Sequence, residues 1–294
     1  MQLRLLTTVS LGLASIAMIL HSAVETSGQQ HEFKAVTAAI QATPSASGDA
    51  RPPRRRPVVD DAPVNPVRET LAVQIKLLER GRARLLQQQD YTARLFKQEL
   101  IDGRLQDPET LGLKIRHEPF AVYLTWENGQ KAAFMADRYD GRVVVRPAKK
   151  LLFRRTVKLD PSGPLAMRQS RYAINETGML LLAERLLRER RQDLARTQDV
   201  TCRVLPEDTL SGQTVTPLVV EYRRPQAEPS YRKVVTYVND AGIPIGVTYY
   251  GWDGDEAPTH ESDEADTLLG HYVYQDIKYD QQLVDADFLV TNGP

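Results

Sequence analysis

The hydrophobic and polar positions of this chain repeat with two different periods, and the first clear repeat is helical. Leu71, Ile75, Leu78, Arg82 and Leu85 follow one another at steps of three or four residues, with charged side chains between them. That spacing places them on one face of an amphipathic helix. The globular part of the chain is therefore predicted to open with a long helix.

After this helix the period changes to two, which is the period of a β-strand. The clearest run is 120–126, in which Phe, Val, Leu and Trp alternate with Ala, Tyr and Thr. Turn signals such as Asp102-Gly103 and Asn128-Gly129 separate the runs. Short strands joined by tight turns are typical of an antiparallel meander. Further strands are predicted at 91–98, 111–115, 131–136, 142–146, 149–155, 201–205, 215–222, 231–238, 245–250 and 269–279.

A helical period returns in the middle of the chain and divides the predicted sheet into two runs of strands. A short helix is predicted at 165–172 and a longer one at 177–197, with Asn175 or Thr177 as the expected N-cap of the longer helix. The longer helix carries an apolar stripe made of Leu180, Ala183, Leu187 and Leu194.

Three arginines of the longer helix, Arg185, Arg188 and Arg191, are interpreted as part of a solvated face, with contact to anionic lipid as the alternative. Taken together, the helices and strands predict an α+β fold. Its main feature is a strongly curved antiparallel β-sheet, an incomplete barrel, that is wrapped around helices.

The start of the chain has a different composition, with a hydrophobic run from Leu5 to Leu20. A short apolar run after a positive charge is typical of a secretory signal peptide, and an uncleaved membrane anchor is the alternative. Residues 1–30 are assigned to this leader, 31–66 to a disordered Pro/Arg-rich tether and 67–294 to a single α+β half-barrel domain. We therefore expect export to the periplasm or cell envelope, with membrane contact only through the leader or the tether.

The overall composition excludes several classes of function. Lys and Arg number 38 and Asp and Glu also number 38, so no net charge draws the whole chain to nucleic acid. Cys202 is the single cysteine, which rules out an intrachain disulfide and a cysteine-based metal cluster. This cysteine lies in a strand-like stretch and is interpreted as a buried packing residue.

No motif in the sequence indicates an enzyme. It contains no nucleophile elbow, phosphate-binding glycine loop or metal-binding helix motif, and no pair of histidines has the spacing of a zinc site. The acidic segment 253–266 is a candidate for Ca²⁺, but it lacks the spacing of an EF-hand loop, and a solvated hairpin loop is the preferred interpretation. We therefore expect no enzymatic activity, no metal and no cofactor.

Three segments carry a resemblance to a known family: 91–104 (YTARLFKQELIDGR), 113–126 (LKIRHEPFAVYLTW) and 285–288 (DADF). They resemble a bacterial envelope family known only as a domain of unknown function, DUF1571, over about residues 77–292. That family is distantly similar to the LolA/LolB-like lipoprotein carriers. The resemblance implies a LolA-like incomplete barrel that encloses an apolar cavity for acyl chains.

A cavity of that kind needs an apolar inner face and a polar rim. Tyrosines along the strands, among them Tyr91, Tyr123, Tyr249 and Tyr272, are candidates for an aromatic rim. Ordinary core packing is the alternative for the apolar candidates. The candidate ligand-binding residues are Phe120, Val122, Leu124, Trp126, Phe134 and Phe153.

Three functions are consistent with these features, and we rank them in order. The first is an exported protein that binds a lipid or an acylated ligand, such as a lipoprotein, in a half-open β-barrel. The second is a non-enzymatic interaction module of the cell envelope that contacts a protein partner through a sheet edge or an outer helix. The third is an enzyme, which would need clustered polar groups with perturbed pKa values in a pocket.

Overall fold

The computed structural model describes residues 65–148, 155–226, 230–252 and 266–290. Several expectations from the sequence lie outside these ranges. They are the leader, nearly all of the tether, and residues 149–154 of the predicted strand at 149–155, which include Phe153. Residues 253–265 of the acidic segment also lie outside the described ranges. Within the described ranges, no helix combines the length and the apolar character that a membrane crossing requires.

A single antiparallel sheet, with 13 strands in the described part of the chain, forms the frame of the fold. Its order is β7-β6-β5-β4-β3-β1-β13-β12-β11-β10-β8, with β2 paired to β1 and β9 to β10. The strands are β1 (Asp90–Ile101), β2 (Arg104–Leu105), β3 (Glu109–Arg116), β4 (Ala121–Thr125), β5 (Lys131–Met135), β6 (Val143–Arg146), β7 (Val157–Leu159), β8 (Val200–Val204), β9 (Asp208–Leu210), β10 (Gln213–Tyr222), β11 (Lys233–Val238), β12 (Pro244–Tyr250) and β13 (Leu268–Tyr279).

The first and last strands pair at the centre of the sheet and join its two runs of strands. Leu95 of β1 lies opposite Tyr274 of β13, and Glu99 lies opposite Gly270. Among the described strands, β7 and β8 stand at opposite ends of the order and do not pair with each other, so the barrel is incomplete. The predicted α+β fold with a curved antiparallel sheet around helices is confirmed.

The helix predicted at the start of the globular part is α1 (Pro66–Leu85). Asn65 caps its N-terminus, since the side-chain oxygen accepts the N–H groups of Val67 at 3.1 Å and Arg68 at 3.3 Å. Gly81 lets the helix approach the sheet closely, because a Cβ at this position would overlap the carbonyl group of Gly242 in the β11–β12 turn. The leucines of its predicted stripe, Leu71, Leu78 and Leu85, are buried.

The two helices predicted in the middle of the chain are α2 (Pro164–Met167) and α3 (Met179–Asp193). The predicted N-cap of α3, Asn175 or Thr177, is wrong. The N-cap residue is Gly178, whose φ of 130° favours glycine, and no side chain on the neighbouring turn caps the helix. The core side of α3 consists of Met179, Leu182, Ala183, Leu186 and Leu187.

Tyrosines of the sheet satisfy the N-terminus of α3 in place of a local cap. The N–H of Met179 donates to the hydroxyl of Tyr91 on β1 at 2.9 Å, and the N–H of Gly178 donates to the hydroxyl of Tyr274 on β13 at 3.2 Å. First-turn N–H groups need acceptors from outside the helix. Here the acceptors come from distant strands, which the local sequence does not reveal.

Part of the outer side of the sheet is covered as well. The C-terminal 3₁₀ turn Asp285–Phe288 packs Phe288 against the outer face of β4 and β5. Ion pairs hold the turn in place: Arg116 lies 2.7 Å from Asp285 and Lys114 lies 2.8 Å from Asp287. Both faces of β4 and β5 are therefore buried, whereas strands with an alternating sequence commonly expose one face to solvent.

The two long helices contact only part of the concave face. Their main contacts with the sheet are those of α1 with β8 and β11 and of α3 with β12. We call β8 and β10–β12 the packed half of the sheet, and β3–β7 the open half. Beneath the packed half, Arg190 and Asp193 of α3 form a buried ion pair at 3.1 Å, and the hydroxyl of Tyr222 on β10 donates to Asp193 at 3.1 Å.

Candidate functional site

The open half of the sheet borders a cavity of about 610 Å³. Strands β3–β7 form its floor, and the segment 161–177 together with one face of α3 forms its roof. Because α1 and α3 make their main sheet contacts with the packed half, inner side chains of the open half face this space. Its apolar lining includes Leu95, Leu111, Leu124, Trp126, Ala132, Val143, Val145, Val157, Leu159, Leu165, Ala166, Ile174, Leu182 and Val247.

The cavity opens to solvent between α2 and β7. Leu165 of α2 and Val157 of β7 both line the cavity, yet they are 71% and 43% exposed. Arg168, which follows α2 and also lines the cavity, is exposed too. We call the opening marked by these three residues the mouth. Exposed apolar side chains at the mouth of an apolar cavity are typical of a ligand entrance.

The structure brings two of the predicted ligand-binding residues to this cavity, Leu124 of β4 and Trp126 just after it. Val122 shares their face of the strand but is fully buried in the core, outside the cavity lining. Phe120 and Phe134 pack against each other with ring centroids 6.2 Å apart, and they do not line the cavity either. Phe153 lies outside the described residues.

A charged cluster on β1 and the start of β3 forms part of the cavity wall, and the sequence analysis did not identify it. Lys97 lies 2.8 Å from Glu99 and 3.1 Å from Glu109. Glu99 also accepts the hydroxyl of Tyr272 at 2.6 Å and the backbone N–H of Arg171 at 3.2 Å. Burial alone would lower the pKa of Lys97, but the two carboxylates outweigh it and raise that pKa. The ammonium group is therefore held charged and paired.

A signal for this cluster is present in the sequence. Ala93, Leu95, Lys97 and Glu99 fall on alternate positions of β1, so they share one face of the strand. Ala93 and Leu95 belong to the core. Two charged residues that continue a core face indicate a buried ion pair, because isolated charges are seldom buried.

Arg185 and Tyr172 form a second polar part of the cavity wall, and Tyr231 and Tyr249 are buried behind them. The guanidinium of Arg185 on α3 lies 4.0 Å from the ring centroid of Tyr172 and 5.8 Å from that of Tyr249. The hydroxyls of Tyr172 and Tyr231 are 3.1 Å apart. The prediction of a solvated face is thus wrong for Arg185, which is half-buried, whereas Arg188 and Arg191 are exposed as predicted.

The tyrosines predicted to form a rim lie inside the molecule. Tyr91 and Tyr249 are fully buried, and Tyr272 is 9% exposed. Burial is the main cause that raises the pKa of each of these three phenols. Tyr123 packs on the outer side of the sheet with Phe288 instead. The tyrosines therefore contribute neutral polar groups to the wall and the core. The hydroxyls of Tyr91 and Tyr272 form hydrogen bonds, whereas that of Tyr249 is buried without a partner.

The described residues offer no site for a metal ion, since no three His, Cys, Asp or Glu side chains converge among them. Cys202 is half-buried and packs at the edge of the core, with its Sγ 3.3 Å from the carbonyl oxygen of Val67. Burial raises the pKa of this thiol. A raised pKa favours the protonated thiol over the reactive thiolate, which is consistent with a packing role.

Residues 88–293 match the family model described as Protein of unknown function (DUF1571). No curated protein matches the sequence.

Solved structures with a likeness to this chain have low sequence identity. The Mycobacterium tuberculosis lipoprotein LppX is 10% identical, with 72% of this chain and 98% of that chain covered and a TM-score of 0.40. In the complex of Pseudomonas aeruginosa MucA and MucB, the matched chain is 11% identical, with coverages of 74% and 61% and a TM-score of 0.39. The LolA superfamily protein NE2245 from Nitrosomonas europaea is 13% identical, with coverages of 73% and 96% and a TM-score of 0.22.

Proposed function

The chain belongs to the DUF1571 family of proteins of unknown function, and we propose that it is an exported envelope protein that binds a lipid or an acylated ligand. The observation that carries this proposal is the cavity of about 610 Å³, whose floor is apolar and which opens at α2 and β7. Pockets that hold one small ligand measure roughly 300–1,000 Å³ and have mostly apolar walls.

The side chains of the floor suit an acyl chain. Leucine, valine and tryptophan side chains such as Leu124, Val145 and Trp126 offer dispersion contacts along a flexible hydrocarbon without selecting one position for it. Each buried CH₂ group contributes about 0.8 kcal/mol to binding. We infer that Leu124 and Trp126 contact the chain of the ligand directly.

The proposal includes the location. The hydrophobic leader of residues 1–30 would export the domain of residues 67–294, and the tether of 31–66 would separate the two. The cavity would then meet lipids or acylated proteins of the cell envelope.

The experiment is native mass spectrometry of the full chain, purified from a Gram-negative host, followed by organic extraction and lipid analysis. We expect a co-purifying acylated species at a stoichiometric level. A clean mass of the protein alone, together with a failure to bind added palmitate, would contradict the proposal. That result would favour an interaction module of the envelope.

A matched pair of variants locates the ligand. Ala132 lies on the inner face of β5 and lines the cavity, whereas Ala136 is exposed just after the same strand. Ala132→Phe places a ring in the empty space, so we expect the acylated species to disappear while the protein stays folded. Ala136→Phe adds the same ring outside the cavity and should retain the ligand. Equal ligand content in the two variants would place binding elsewhere.

A further inference from the structure

Arg185 is a cation in the cavity wall whose close partners are aromatic rings. Its guanidinium stacks on Tyr172 at 4.0 Å, and its Nε is buried without a hydrogen-bond acceptor. In the described part of the chain, no carboxylate lies within salt-bridge distance of this group. Arginine stays protonated in proteins. Glu189 interacts with this guanidinium electrostatically but forms no salt bridge with it. The wall therefore presents a fixed positive charge that no ion pair among the described residues satisfies.

The carboxylates nearby have other partners. Glu99 and Glu109 both pair with Lys97. Glu189, one turn after Arg185 on α3, lies 3.7 Å from Arg190 without a hydrogen bond, and burial raises the pKa of its carboxyl group. Glu176 also lines the cavity, but it forms no salt bridge with Arg185 among the residues that the structure describes.

Apart from the exposed Arg168 at the mouth, the charged and hydroxyl groups of the cavity wall are concentrated at one end. The polar end lies beside β1, β13 and α3, where Arg185 and Tyr272 line the wall. Strands β5–β7 contribute Ala132, Val143 and Val157 to the apolar end, and the mouth opens at β7. A ligand that matches this arrangement has a charged head at the inner wall and a hydrocarbon chain directed toward the mouth.

We propose that the cavity binds a single-chain amphiphile with a small anionic head, a carboxylate or a phosphate, and that Arg185 binds this head. The inference rests on the proposed function and adds the chemical class of the ligand and its direction. The planar guanidinium donates two parallel hydrogen bonds to a carboxylate or a phosphate, and the ring of Tyr172 holds it in one orientation. An acylated protein, whose chain ends in a neutral linkage to a polypeptide, does not fit in this direction.

Arg168 is the competing cation, because it also lines the cavity. It is exposed at the mouth, where water and salt weaken its attraction for an anion. Arg185 is half-buried, and charge-assisted hydrogen bonds are stronger where water is excluded. The inner position is therefore favoured.

The test uses the full chain and compares palmitate, methyl palmitate and hexadecyl phosphate by isothermal titration calorimetry. We expect palmitate to bind about tenfold to a hundredfold more tightly than its methyl ester, as one charge-assisted pair implies. Arg185→Met should remove this preference by weakening the binding of palmitate more than that of the ester, and Arg185→Lys should restore part of it. Arg168→Met is the matched control and should keep the preference. The tighter of the two anions identifies the head group.

Each other outcome is decisive. If the acid and the ester bind equally well, the lipid site stands and the role of Arg185 is wrong. If Arg168→Met removes the preference and Arg185→Met does not, the head lies at the mouth. If none of the three ligands binds and the purified protein carries no acylated species, the proposed function itself fails.

A measurement on the unmodified protein guards against a variant that fails to fold. Palmitate labelled with ¹³C at its carboxyl carbon reports the protonation of the head by NMR. Beside Arg185 we expect the bound carboxyl to keep a pKa below its usual range. A pKa raised above that range would mean that the head lies in an apolar environment, and it would overturn the proposal.

Discussion

The two halves of the sheet have similar alternating strands, but helices cover the concave side of one half and a cavity lies against that of the other. The packed half, β8 and β10–β12, is covered by α1 and α3, and its inner residues such as Val220, Val234 and Ile245 are fully buried. The open half, β3–β7, encloses a cavity of about 610 Å³. An apolar inner face is therefore compatible with a solid core and with a binding site. What decides between them is where the helices lie.

The halves also differ in how their buried charges are arranged. Beneath the packed half, Arg190 and Asp193 of α3 are 2% and 0% exposed and form a buried network with Tyr222. Beside the open half, Lys97 and Glu99 of β1 pair at the wall of the cavity. The first network stabilises the fold, whereas the second, with Glu109 as a further carboxylate, pairs Lys97 within the cavity wall and leaves Arg185 as a cation without a salt bridge among the described residues.

The largest effect is expected in the packed half, from Asp193→Ala. The substitution removes the carboxylate nearest to the buried guanidinium of Arg190 and leaves only Glu189, at 3.7 Å. Breaking a buried pair costs about 3–5 kcal/mol. Asp199→Ala is the control, because its partner Arg224 is 70% exposed and a surface pair contributes at most about 1 kcal/mol. Urea unfolding of both variants measures the difference. A loss for Asp193→Ala no larger than that of the control would refute this account of the packed half.

A smaller effect on the free energy of unfolding is expected when one leucine from each region is replaced by alanine. Leu186 of α3 is fully buried in the packed core, so Leu186→Ala should lower the free energy of unfolding by about 2–5 kcal/mol. Leu124 faces the cavity on one side and has fewer contacts to lose. Leu124→Ala should therefore cost less than about 2 kcal/mol. Urea unfolding of the two variants without ligand is the measurement, and an equal cost would mean that the open half is as tightly packed as the other.

The sequence predicted much of the fold because its signals are local. The helical stripe of Leu71, Leu78 and Leu85 and the alternation at 120–126 each follow from spacing within one element. The cavity depends on how distant elements meet. The spacing predicted that Val122 and Leu124 share the inner face of β4. It did not reveal that, of these two residues, Leu124 lines the cavity and Val122 does not.

The two wrong predictions on α3, the solvated position of Arg185 and the N-cap residue, have the same cause. Arg185 and Arg188 lie on the same helix within a run of charged residues, and only the approach of Tyr172 from the preceding segment distinguishes them. The helix N-terminus is satisfied by Tyr91 and Tyr274, which lie far away in the chain. Long-range contacts of this kind leave no periodic signal.

The smallest effect concerns the outer side of the open half, where Asp285 and Asp287 hold the C-terminal turn. Hydrogen bonds from Arg116 and from Lys114, respectively, are the main causes that lower the pKa of Asp285 and of Asp287. A carboxyl whose pKa is lowered by folding stabilises the folded state above its ordinary pKa of about 3.9. That contribution is lost as the pH falls from this value through the lowered pKa. The turn should therefore loosen at acid pH before the packed half does.

Hydrogen exchange followed by mass spectrometry measures this loosening in the peptide that contains Phe288, after correction for the intrinsic pH dependence of exchange. We expect its protection to fall below about pH 4 while that of α3 persists. The double variant Asp285→Asn and Asp287→Asn should show reduced protection already at neutral pH. Asp276→Asn, which removes only an exposed pair with Arg94, is the control and should not change the peptide. Equal protection in the wild type and the double variant would mean that the packing of Phe288 alone holds the turn. Apolar contacts, and not ion pairs, would then cover the outer face of β4 and β5.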